Sequence, residues 1–381
     1  MRIGLIRMRH TPFGGAETFL GRFIKELLKR GHTLDVFSRE WEDDRVSVHR
    51  IKTFGPSFLK PLVFALRARK EVEMAAPDVV VSFERTYCQD IYRAGDGVHR
   101  EWLERRGAAC SSVKRFLIRL NPLHAVLLYL EKRLFTDKRL KKIVANSNAV
   151  KRDIIRHYGL PEDKICVIYN GIESSSTGGK DAEDPGDRAG VRAGLGVGDN
   201  TTLLVFVGSG FERKGLIYAV RALGFLKDDG DIRLLVVGKG NPSRYLSEAR
   251  SLGVEDKVIF TGPVKGASKF YRAGDIFILP TIYEPFSNAC LEAMAAGLPV
   301  VTSRVNGASE IMTDGVDSAI LDDPADPAGI ARKLKPLLNG EFRKKAGTNA
   351  RAVALKYPIE KNVDEFLRLI EGVMEGAEVR G

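Results

Sequence analysis

The stretch EPFSNACLEAMAAGLPVVTS, residues 284–303, places two glutamates on either side of a predicted helix start. Pro285 disfavours a helical conformation at Glu284, and Ser287 is a good N-cap, so we predict a helix over about 288–297. Glu292 then lies roughly one turn inside the helix, about 6–7 Å from the cap at 1.5 Å of rise per residue. The two carboxylates therefore bracket the N–H groups of the first helical turn.

Those N–H groups would accept a diphosphate, because they have no partner within the helix and lie at its positive end. Carboxylates beside such an anion would repel it, so each should face neutral hydroxyl groups. A diphosphate with a sugar on either side satisfies this requirement, with one carboxylate for each sugar. On local grounds an alternative is equally favoured, in which Glu292 interacts only with the helix dipole and Glu284 is a surface residue.

The chain of 381 residues is too long for one ordinary core and fits two domains better. The amino terminus has only a short apolar run before an arginine, and no segment approaches the roughly 20 apolar residues of a spanning helix. We therefore expect a cytoplasmic protein without a signal peptide. Its cysteines have no metal-ligand spacing and are expected to be buried free thiols in a reducing compartment. They are Cys88, Cys110, Cys166 and Cys290.

Strand patterns alternate with helical patterns twice along the chain, which indicates two parallel sheets covered on both faces. A stretch rich in Ser, Gly and Asp at 173–190 separates the two series and is predicted to be a linker or mobile loop. The predicted strands are 2–8, 32–40, 77–84, 90–95, 142–147 and 164–171 in the first series, and 202–208, 232–238, 257–262, 275–280 and 298–303 in the second.

The predicted fold class is therefore α/β, with two doubly wound domains at 1–172 and 173–357. The last helical segment, about 358–381, could belong to either domain or bridge the two. If it belongs to the first, it packs back on that domain. Two such domains facing each other would create a cleft at the carboxyl ends of both sheets, where ligands bind in open α/β folds.

Several nucleotide-binding motifs are missing from the sequence. There is no GxxxxGK[ST], and no GxGxxG follows the first strand, so P-loop and NAD-dependent chemistry are disfavoured. The acidic triplet DGD at 229–231 precedes a strand instead of following one, and we interpret it as a solvated turn.

Two short turns carry residues suited to binding anions. Gly14 and Gly15 follow the first strand and would let a phosphate or sugar approach backbone N–H groups at a helix start. Arg213 and Lys214 follow the first strand of the second series, where a guanidinium and an ammonium would neutralise two phosphates. A tight turn and an ordinary basic turn are the respective alternatives.

The positive charge of the chain is concentrated in residues 100–142, which hold twelve Lys or Arg and four Asp or Glu. Such a segment favours an anionic partner: nucleic acid, a phosphorylated substrate or an acidic membrane. Large apolar residues are interleaved with the charges, as in segments that lie on anionic bilayers. We predict membrane contact for 105–120 and core packing for AVLLYLEKRLF, 125–135. No nucleic-acid-binding motif is present.

The quoted stretch, with Glu284 and Glu292 at an E-x7-E spacing, resembles the signature of the retaining glycosyltransferases of family 4. PFGGAETFLGRFIKELLKRGH (12–32) is similar to the amino-terminal glycine motif of that family, and VGSGFERKG (207–215) to its phosphate-binding turn. VIYNGIE (167–173) matches the segment leading into the second domain. The resemblance extends over nearly the whole chain.

The resemblance implies a GT-B fold, in which two Rossmann-like domains face a central cleft, the first binding the acceptor and the second a nucleotide sugar. It implies a UDP-sugar donor, most simply UDP-glucose, with neither a cofactor nor a metal. Glu284 would hold donor-sugar hydroxyls and Glu292 the ribose, while Arg213 and Lys214 would stabilise the leaving diphosphate. Further donor contacts are implied for Gly14, Gly15 and the amides of Phe286, Ser287 and Asn288.

A finer resemblance is to members that add glucose to the inner-core heptose of lipopolysaccharide, carried by SREW, DIYRAGDGVHREWLER and GSGFERKG. It implies that Asp96 lies near the reacting centre, with His99 as the alternative residue. It also implies a hexose transferred to a saccharide or lipid-linked acceptor by a peripheral protein on the cytoplasmic face of the inner membrane. The EPFSN loop is closer to the general family, so another donor sugar or a soluble acceptor is the alternative.

Overall fold

The computed structural model describes residues 1–9, 15–108, 110–173, 185–264 and 266–378. The chain forms two compact units, one comprising Met1–Asn170 with Ile359–Gly381 and the other Gly171–Pro358. The domain boundaries expected from the sequence, after 172 and after 357, lie within two residues of these divisions.

The first unit is built on a seven-stranded sheet in which every neighbouring pair is parallel, with strand order β3-β2-β1-β4-β5-β6-β7. Its strands are β1 (Arg2–Ile6), β2 (Thr33–Ser38), β3 (Ser47–Arg50), β4 (Val79–Ser82), β5 (Ile91–Ala94), β6 (Lys142–Ala145) and β7 (Ile165–Val167). Its first six helices are α1 (Gly15–Lys29), α2 (Lys60–Ala75), α3 (His99–Ala108), α4 (Ser112–Leu120), α5 (Pro122–Phe135) and α6 (Asn148–Tyr158).

The second unit repeats this plan with a six-stranded parallel sheet, in the order β10-β9-β8-β11-β12-β13. Its strands are β8 (Thr202–Val207), β9 (Ile232–Val237), β10 (Val258–Gly262), β11 (Ile276–Leu279), β12 (Val300–Ser303) and β13 (Ser318–Leu321). Its helices are α7 (Pro185–Gly194), α8 (Leu216–Gly224), α9 (Ser243–Ser251), α10 (Ser268–Ala273), α11 (Asn288–Ala295), α12 (Pro327–Leu338) and α13 (Gly340–Ala354). The predicted α/β class with two Rossmann-like domains is confirmed.

The central strands are continuous apolar runs because helices cover both faces of a doubly wound parallel sheet. All four residues of β4 and of β11 are buried. The sequence patterns did not predict two short edge strands. One is β3 (SVHR), a partly exposed strand at the edge of the first sheet, and the other is β13 (SAIL), at an edge of the second sheet. Four residues without clear alternation give no periodic signal.

The predicted linker at 173–190 is wrong at its carboxyl end, where α7 begins at Pro185; residues 174–184 lie outside the described part of the chain. Arg188 and Arg192, one helical turn apart, both pair with Asp275, at 2.8 and 3.1 Å. Asp275 in turn accepts a hydrogen bond from the Leu203 N–H. This tether to the start of two central strands gives the polar segment a reason to be helical.

The final helix, α14 (Ile359–Glu378), belongs to the first unit. Phe366 packs edge-on against Phe23 of α1, with ring centroids 5.1 Å apart, and Arg30 pairs with Asp364 at 2.7 Å. The structure therefore decides between the placements that the sequence left open.

Each sheet has a switch point, where the strand order reverses between two central strands. In the first unit it lies between β1 and β4, and in the second between β8 and β11. Open α/β sheets bind ligands outside the carboxyl ends of the strands at such points. The segments that follow these four strands are therefore the places to look for a site.

Two smaller predictions also find their outcome in the fold. All four cysteines are free, but only Cys88 and Cys290 are buried, while the other two are half-buried, because they lie at a loop and an edge strand. Within the described ranges, no helix has both the length and the apolar character needed to cross a bilayer.

Candidate active site

At the switch point of the second unit, Arg213 and Lys214 converge on one carboxylate. Nη1 of Arg213 donates to Oε2 of Glu284 at 2.7 Å, and Nζ of Lys214 lies 3.2 Å from the same oxygen. Arg213 follows β8 and Glu284 follows β11, so neighbouring strands deliver the groups to one edge of the sheet. The Glu284 side chain is 11% exposed and that of Lys214 12%, whereas Arg213 is 30% exposed and is the more accessible of the two cations.

The loop that carries the two cations is fixed by contacts with the segment after β11. The carbonyl oxygen of Arg213 accepts from the Ile282 N–H at 3.0 Å and from the Thr281 hydroxyl at 2.9 Å. Gly215 has φ of +75°, and a Cβ there would lie 1.8 Å from the Pro280 carbonyl oxygen. Only glycine permits this approach, which explains the Lys-Gly pair in the motif.

The charge of Glu284 is stabilised by these neighbours. Burial by itself would raise the pKa of the Glu284 carboxyl, but the Arg213 and Lys214 cations outweigh it and hold the pKa below its usual value. The group is therefore an anion at neutral pH, and a hydrogen-bond acceptor for neutral hydroxyls. The cluster as a whole carries one net positive charge.

The start of α11 lies beside this cluster in sequence and is capped as predicted. The Ser287 hydroxyl accepts from the Cys290 N–H at 3.3 Å. The Ser287 N–H itself donates to Oδ1 of Asn306 at 3.2 Å, and Asn306 also accepts from the Ala308 N–H. The Ser287 amide is therefore bonded to Asn306 in this structure, and its contact with a diphosphate stays a prediction.

Glu292 lies on α11 and is half-buried. Oε2 of Glu292 accepts from the Tyr271 hydroxyl of α10 at 3.2 Å. This bond orients one carboxylate oxygen. Glu292 is thus fixed on the helix whose first turn, at Asn288 and after the buried Phe286, is the candidate anion site.

The switch point of the first unit also gathers charged groups. Arg7 follows β1, and its Nη1 donates to the Phe83 carbonyl oxygen at 3.1 Å and to Oδ2 of Asp96 at 3.2 Å. The same nitrogen lies 3.5 Å from Oε1 of Glu84, which also accepts from the Met8 N–H. Arg7 therefore bridges two carboxylates at the carboxyl edge of the sheet.

Asp96 is the more accessible of these two carboxylates, with 42% of its side chain exposed. Desolvation acts to raise the pKa of Asp96, but the Arg7 and Arg85 cations outweigh it and the pKa is lowered. Burial raises the pKa of Glu84 in spite of Arg7. Asp96 is therefore ionised at neutral pH, and it lies at a sheet edge where a ligand could reach it.

The buried carboxylate of Glu131 holds the loop around Asp96 through hydrogen bonds. Glu131 of α5 accepts from the His99 N–H at 2.7 Å and the Arg100 N–H at 3.2 Å, capping the start of α3. It also pairs with Arg85 at 3.0 Å, which donates to the Gly97 carbonyl oxygen. Burial, together with the Arg85 cation, lowers the pKa of His99 to about 4, so its ring is neutral at pH 7.

The predicted glycine turn is only partly described. Gly15 is the first residue of α1, and Gly14 lies outside the described residues. Two residues that sequence reasoning missed have an identifiable signal. Arg7 was placed inside the first strand, although a charged residue after a buried apolar run indicates a strand end. Asn306 stands between a buried strand and the short helix Gly307–Ile311, the position of an N-cap.

One cluster in the described ranges has metal-like geometry: Glu101, Glu104 and His157. Glu101 is already paired with Arg105 at 2.6 Å and with Arg156. Two guanidinium groups beside the carboxylate oppose a cation. We therefore interpret the cluster as ionic packing of α3 against α6.

In the basic segment, the helix α4 presents an apolar stripe to solvent. Its members are all more than 60% exposed and follow the i, i+3, i+4, i+7 spacing of one helix face: Val113, Phe116, Leu117 and Leu120. By contrast, Leu130, Leu134 and Phe135 of α5 are buried, which confirms core packing for that part of 125–135, whereas Tyr129 is exposed.

Comparisons with known proteins agree with both halves of this description. Residues 13–176 match the family model described as Glycosyltransferase Family 4, and residues 201–340 match the model described as Glycosyl transferases group 1. The chain belongs to the family 4 glycosyltransferases and has their GT-B fold.

Among its relatives are two proteins that match over their full length. The chain is 28% identical over 393 residues to the uncharacterized glycosyltransferase MJ1607 of Methanocaldococcus jannaschii, covering 98% of this chain and 99% of that protein. It is 25% identical to the lipopolysaccharide glucosyltransferase WaaG of Escherichia coli K12, covering 99% of this chain and 100% of WaaG. The predicted resemblance to lipopolysaccharide core glucosyltransferases is confirmed.

The solved structures agree on the fold. The crystal structure of WaaG, described as a glycosyltransferase involved in lipopolysaccharide biosynthesis, matches with a TM-score of 0.84 and 24% identity, covering 97% of this chain and 100% of that one. Anabaena Alr3699/HepE in complex with UDP-glucose matches with a TM-score of 0.73 and 18% identity, covering 98% and 100%.

Proposed function

We propose that this glycosyltransferase moves glucose from UDP-glucose to a saccharide acceptor, the heptose of a lipopolysaccharide inner core, with retention of anomeric configuration. The observation that carries the proposal is the cluster of Arg213, Lys214 and Glu284 at a switch point. The relationship to WaaG and the UDP-glucose complex of a structural neighbour support the donor and the acceptor.

The donor site needs two kinds of contact, and we assign both to the second unit. A diphosphate would bind Arg213, Lys214 and the start of α11, which are positive by charge and by helix dipole. Glu284 would then accept hydroxyls of the transferred sugar, and Glu292, oriented by Tyr271, those of the ribose. Because these cations now share Glu284, diphosphate binding would exchange one anionic partner for another.

The chemical step breaks the bond between the anomeric carbon and the β-phosphate oxygen. Arg213, Lys214 and the helix amides would bind the departing diphosphate more strongly than the intact donor, which lowers the barrier. In the retaining route implied by the family, the acceptor oxygen bonds to the anomeric carbon on the face that the diphosphate leaves, and its proton passes to the departing phosphate oxygen. This route calls for no metal, since fixed cations supply the stabilising charge.

Asp96 is the residue of the first unit that we assign to the reacting centre. It is ionised, accessible and held by Arg7, so it can accept a hydrogen bond from an acceptor hydroxyl. His99 is the weaker candidate, because its Nε2 bonds to Nδ1 of His124 at 3.1 Å and its backbone N–H donates to the Glu131 carboxylate.

The acceptor would be reached by docking on a membrane, as a peripheral protein on the cytoplasmic face of the inner membrane. The exposed stripe of α4, flanked by basic residues, is suited to the boundary of an anionic bilayer.

Replacing Phe116 and Leu117 by Ser should lower partition into anionic vesicles at least tenfold, since burying one such side chain is worth about 1.5–3 kcal/mol. F54S/L66S, which alters a Phe and a Leu that are more than half exposed and lie outside α4, should bind like the parent chain.

The proposal is tested by a panel of nucleotide sugars, assayed with heptosylated lipopolysaccharide core and with soluble saccharides as acceptors. We expect UDP-glucose and the heptosylated core to give the fastest transfer and an α-linked product. Preference for another donor or a soluble acceptor would replace the donor or acceptor in the proposal. No release of nucleotide from any donor would overturn it.

A further inference from the structure

Asn306 is a fully buried residue of the loop that follows β12. Its Oδ1 accepts from the Ser287 N–H at 3.2 Å and from the Ala308 N–H at 3.1 Å. Its Nδ2 donates to Oγ1 of Thr302 at 2.9 Å and to Sγ of Cys290 at 3.3 Å. A side-chain amide has two N–H donors and an oxygen that accepts two bonds. The Asn306 amide therefore uses its whole hydrogen-bonding capacity, which fixes it in one orientation.

These bonds connect the segments on either side of the Glu284 loop. Ser287 is the N-cap of α11, and Thr302 lies near the end of β12. Oγ1 of Thr302 donates onward to the carbonyl oxygen of Leu279, the last residue of β11, at 2.8 Å. Asn306 thus links the ends of two neighbouring strands to the start of the helix. The loop that carries Glu284 runs from Leu279 to Ser287, so both of its ends are held by this network.

The backbone on either side of Asn306 holds Glu284 itself. The Gly307 N–H donates to the Glu284 carbonyl oxygen at 2.9 Å, and the Glu284 N–H donates to the Val305 carbonyl oxygen at 3.4 Å. Both backbone polar groups of Glu284 are therefore bonded to the chain neighbours of Asn306. A shift of this loop would move the carboxylate that the two cations share.

A helix cap alone does not account for these contacts. Asn306 is the N-cap of the short helix Gly307–Ile311, and the bond from the Ala308 N–H is sufficient for that role. The bonds with Ser287 and Thr302 lead away from the short helix, to α11 and to β12. They indicate a second role, in fixing the loop between those elements.

We infer that Asn306 is a positioning residue of the transfer reaction, which fixes the Glu284 carboxylate where it meets the hydroxyls of the donor sugar. The inference rests on the proposed function, from which it takes the role of Glu284. The basic turn has a separate support, since the Arg213 carbonyl oxygen accepts from the Thr281 hydroxyl. Loss of Asn306 would also free the Ser287 N–H for a phosphate. Its loss should therefore affect the donor sugar more than the diphosphate.

The test compares Asn306→Ala with Asn339→Ala, a matched control in the same unit. Asn339 is an exposed N-cap whose Oδ1 accepts from the Phe342 N–H at 2.9 Å, so each variant loses an asparagine cap. We expect N306A to lower kcat/KM for UDP release from UDP-glucose at least tenfold, since the sugar hydroxyls bond to a charged carboxylate. The UDP dissociation constant, measured by calorimetry, should change less than threefold, and N339A should stay within twofold in both measurements.

Two results would overturn the inference. One is an equal kcat/KM for N306A and N339A. The other is a loss of UDP affinity in N306A as large as its loss of kcat/KM, because a general disturbance of the fold would weaken both alike.

A second pair of variants decides the question if N306A does not fold. Thr302→Val keeps the size of the side chain and removes the hydroxyl that accepts from Asn306, whereas Thr302→Ser keeps the hydroxyl. We expect T302V to lower kcat/KM at least fivefold with UDP affinity within threefold, and T302S to stay near the parent value. Equal kcat/KM in T302V and T302S would overturn the inference.

The same assay separates this inference from the function on which it rests. A parent chain that releases no UDP from UDP-glucose or any other UDP-sugar would refute the proposed function and the positioning role with it. An active parent chain with an equally active N306A would refute the positioning role alone.

Discussion

At the residue scale, only a few charged side chains lie at each switch point. Glu284 was equally well explained by a surface position when only its sequence neighbours were considered. Its partners, Arg213 and Lys214, stand some seventy residues away, and the fold brings them within 3.2 Å. Sequence reasoning could place all three on loops at strand ends, but it could not show that one oxygen serves two cations.

Asp96 provides a test at this scale. Asp96→Asn should slow transfer to the acceptor by about 10–100-fold, because a hydrogen bond to a charged group is worth about 1.5–3 kcal/mol and the amide does not carry the charge. UDP affinity and UDP-glucose hydrolysis should stay within a few fold, because we assign donor binding to the second unit. Steady-state transfer and UDP titration measure the two effects.

The matched control is Asp322→Asn, which alters an exposed ion pair with Arg304. If D96N and D322N transfer glucose at the same rate, Asp96 has no part in the reaction.

At the element scale, local signals predicted some boundaries well and others poorly. Pro285 and Ser287 place the start of α11 because a proline and a capping hydroxyl act within one turn. The helix α7 was missed because its stabilising contact, two arginines on Asp275, joins segments more than eighty residues apart. The glycine turn before α1 and Lys265 stay outside what the structure describes.

Asp153, a buried residue of α6, gives a prediction of pH-dependent stability. Burial raises its pKa to about 6, against the opposing Arg105 and Arg152 cations. The folded chain therefore favours the protonated acid, and the stability from this group is present at pH 4 and lost as pH rises through about 6. Asp153→Asn should leave stability unchanged near pH 4 and raise the free energy of unfolding by about 1–3 kcal/mol at pH 8.

Thermal melts of the parent chain and D153N across pH 4–8 measure this difference. A gap between the two curves that is constant with pH would contradict the assignment, since only a titrating group makes the gap grow.

At the scale of the whole molecule, the chain leaves the first unit at residue 170 and returns to it at 359. The sequence predicted a helical segment at the end of the chain but could not choose its partner, because either domain offers an apolar surface. In the structure, Phe366, Ile370 and Val363 join the same core as Phe23 and Leu27. The last helix is therefore part of the first domain's core.

This arrangement predicts that a cavity in that core destabilises the first unit more than the second. Phe366→Ala should destabilise the first unit by about 3–5 kcal/mol, the usual cost of removing a buried aromatic ring. Hydrogen exchange should accelerate in β1, β2 and α1 and stay near parent values in β8, β9 and β11. Equal acceleration in both sheets would show that the two units unfold together.

If Arg213 takes the charge of the departing diphosphate, its loss should slow the release of UDP from UDP-glucose, measured for the parent chain, R213M and R221M. Arg221 lies in the same unit on α8, where it pairs with Glu248, so both variants lose one paired arginine. We predict that kcat falls by about 10²–10³-fold in R213M, as for other lost transition-state donors, and stays within twofold in R221M. Equal rates in the two variants would contradict the account.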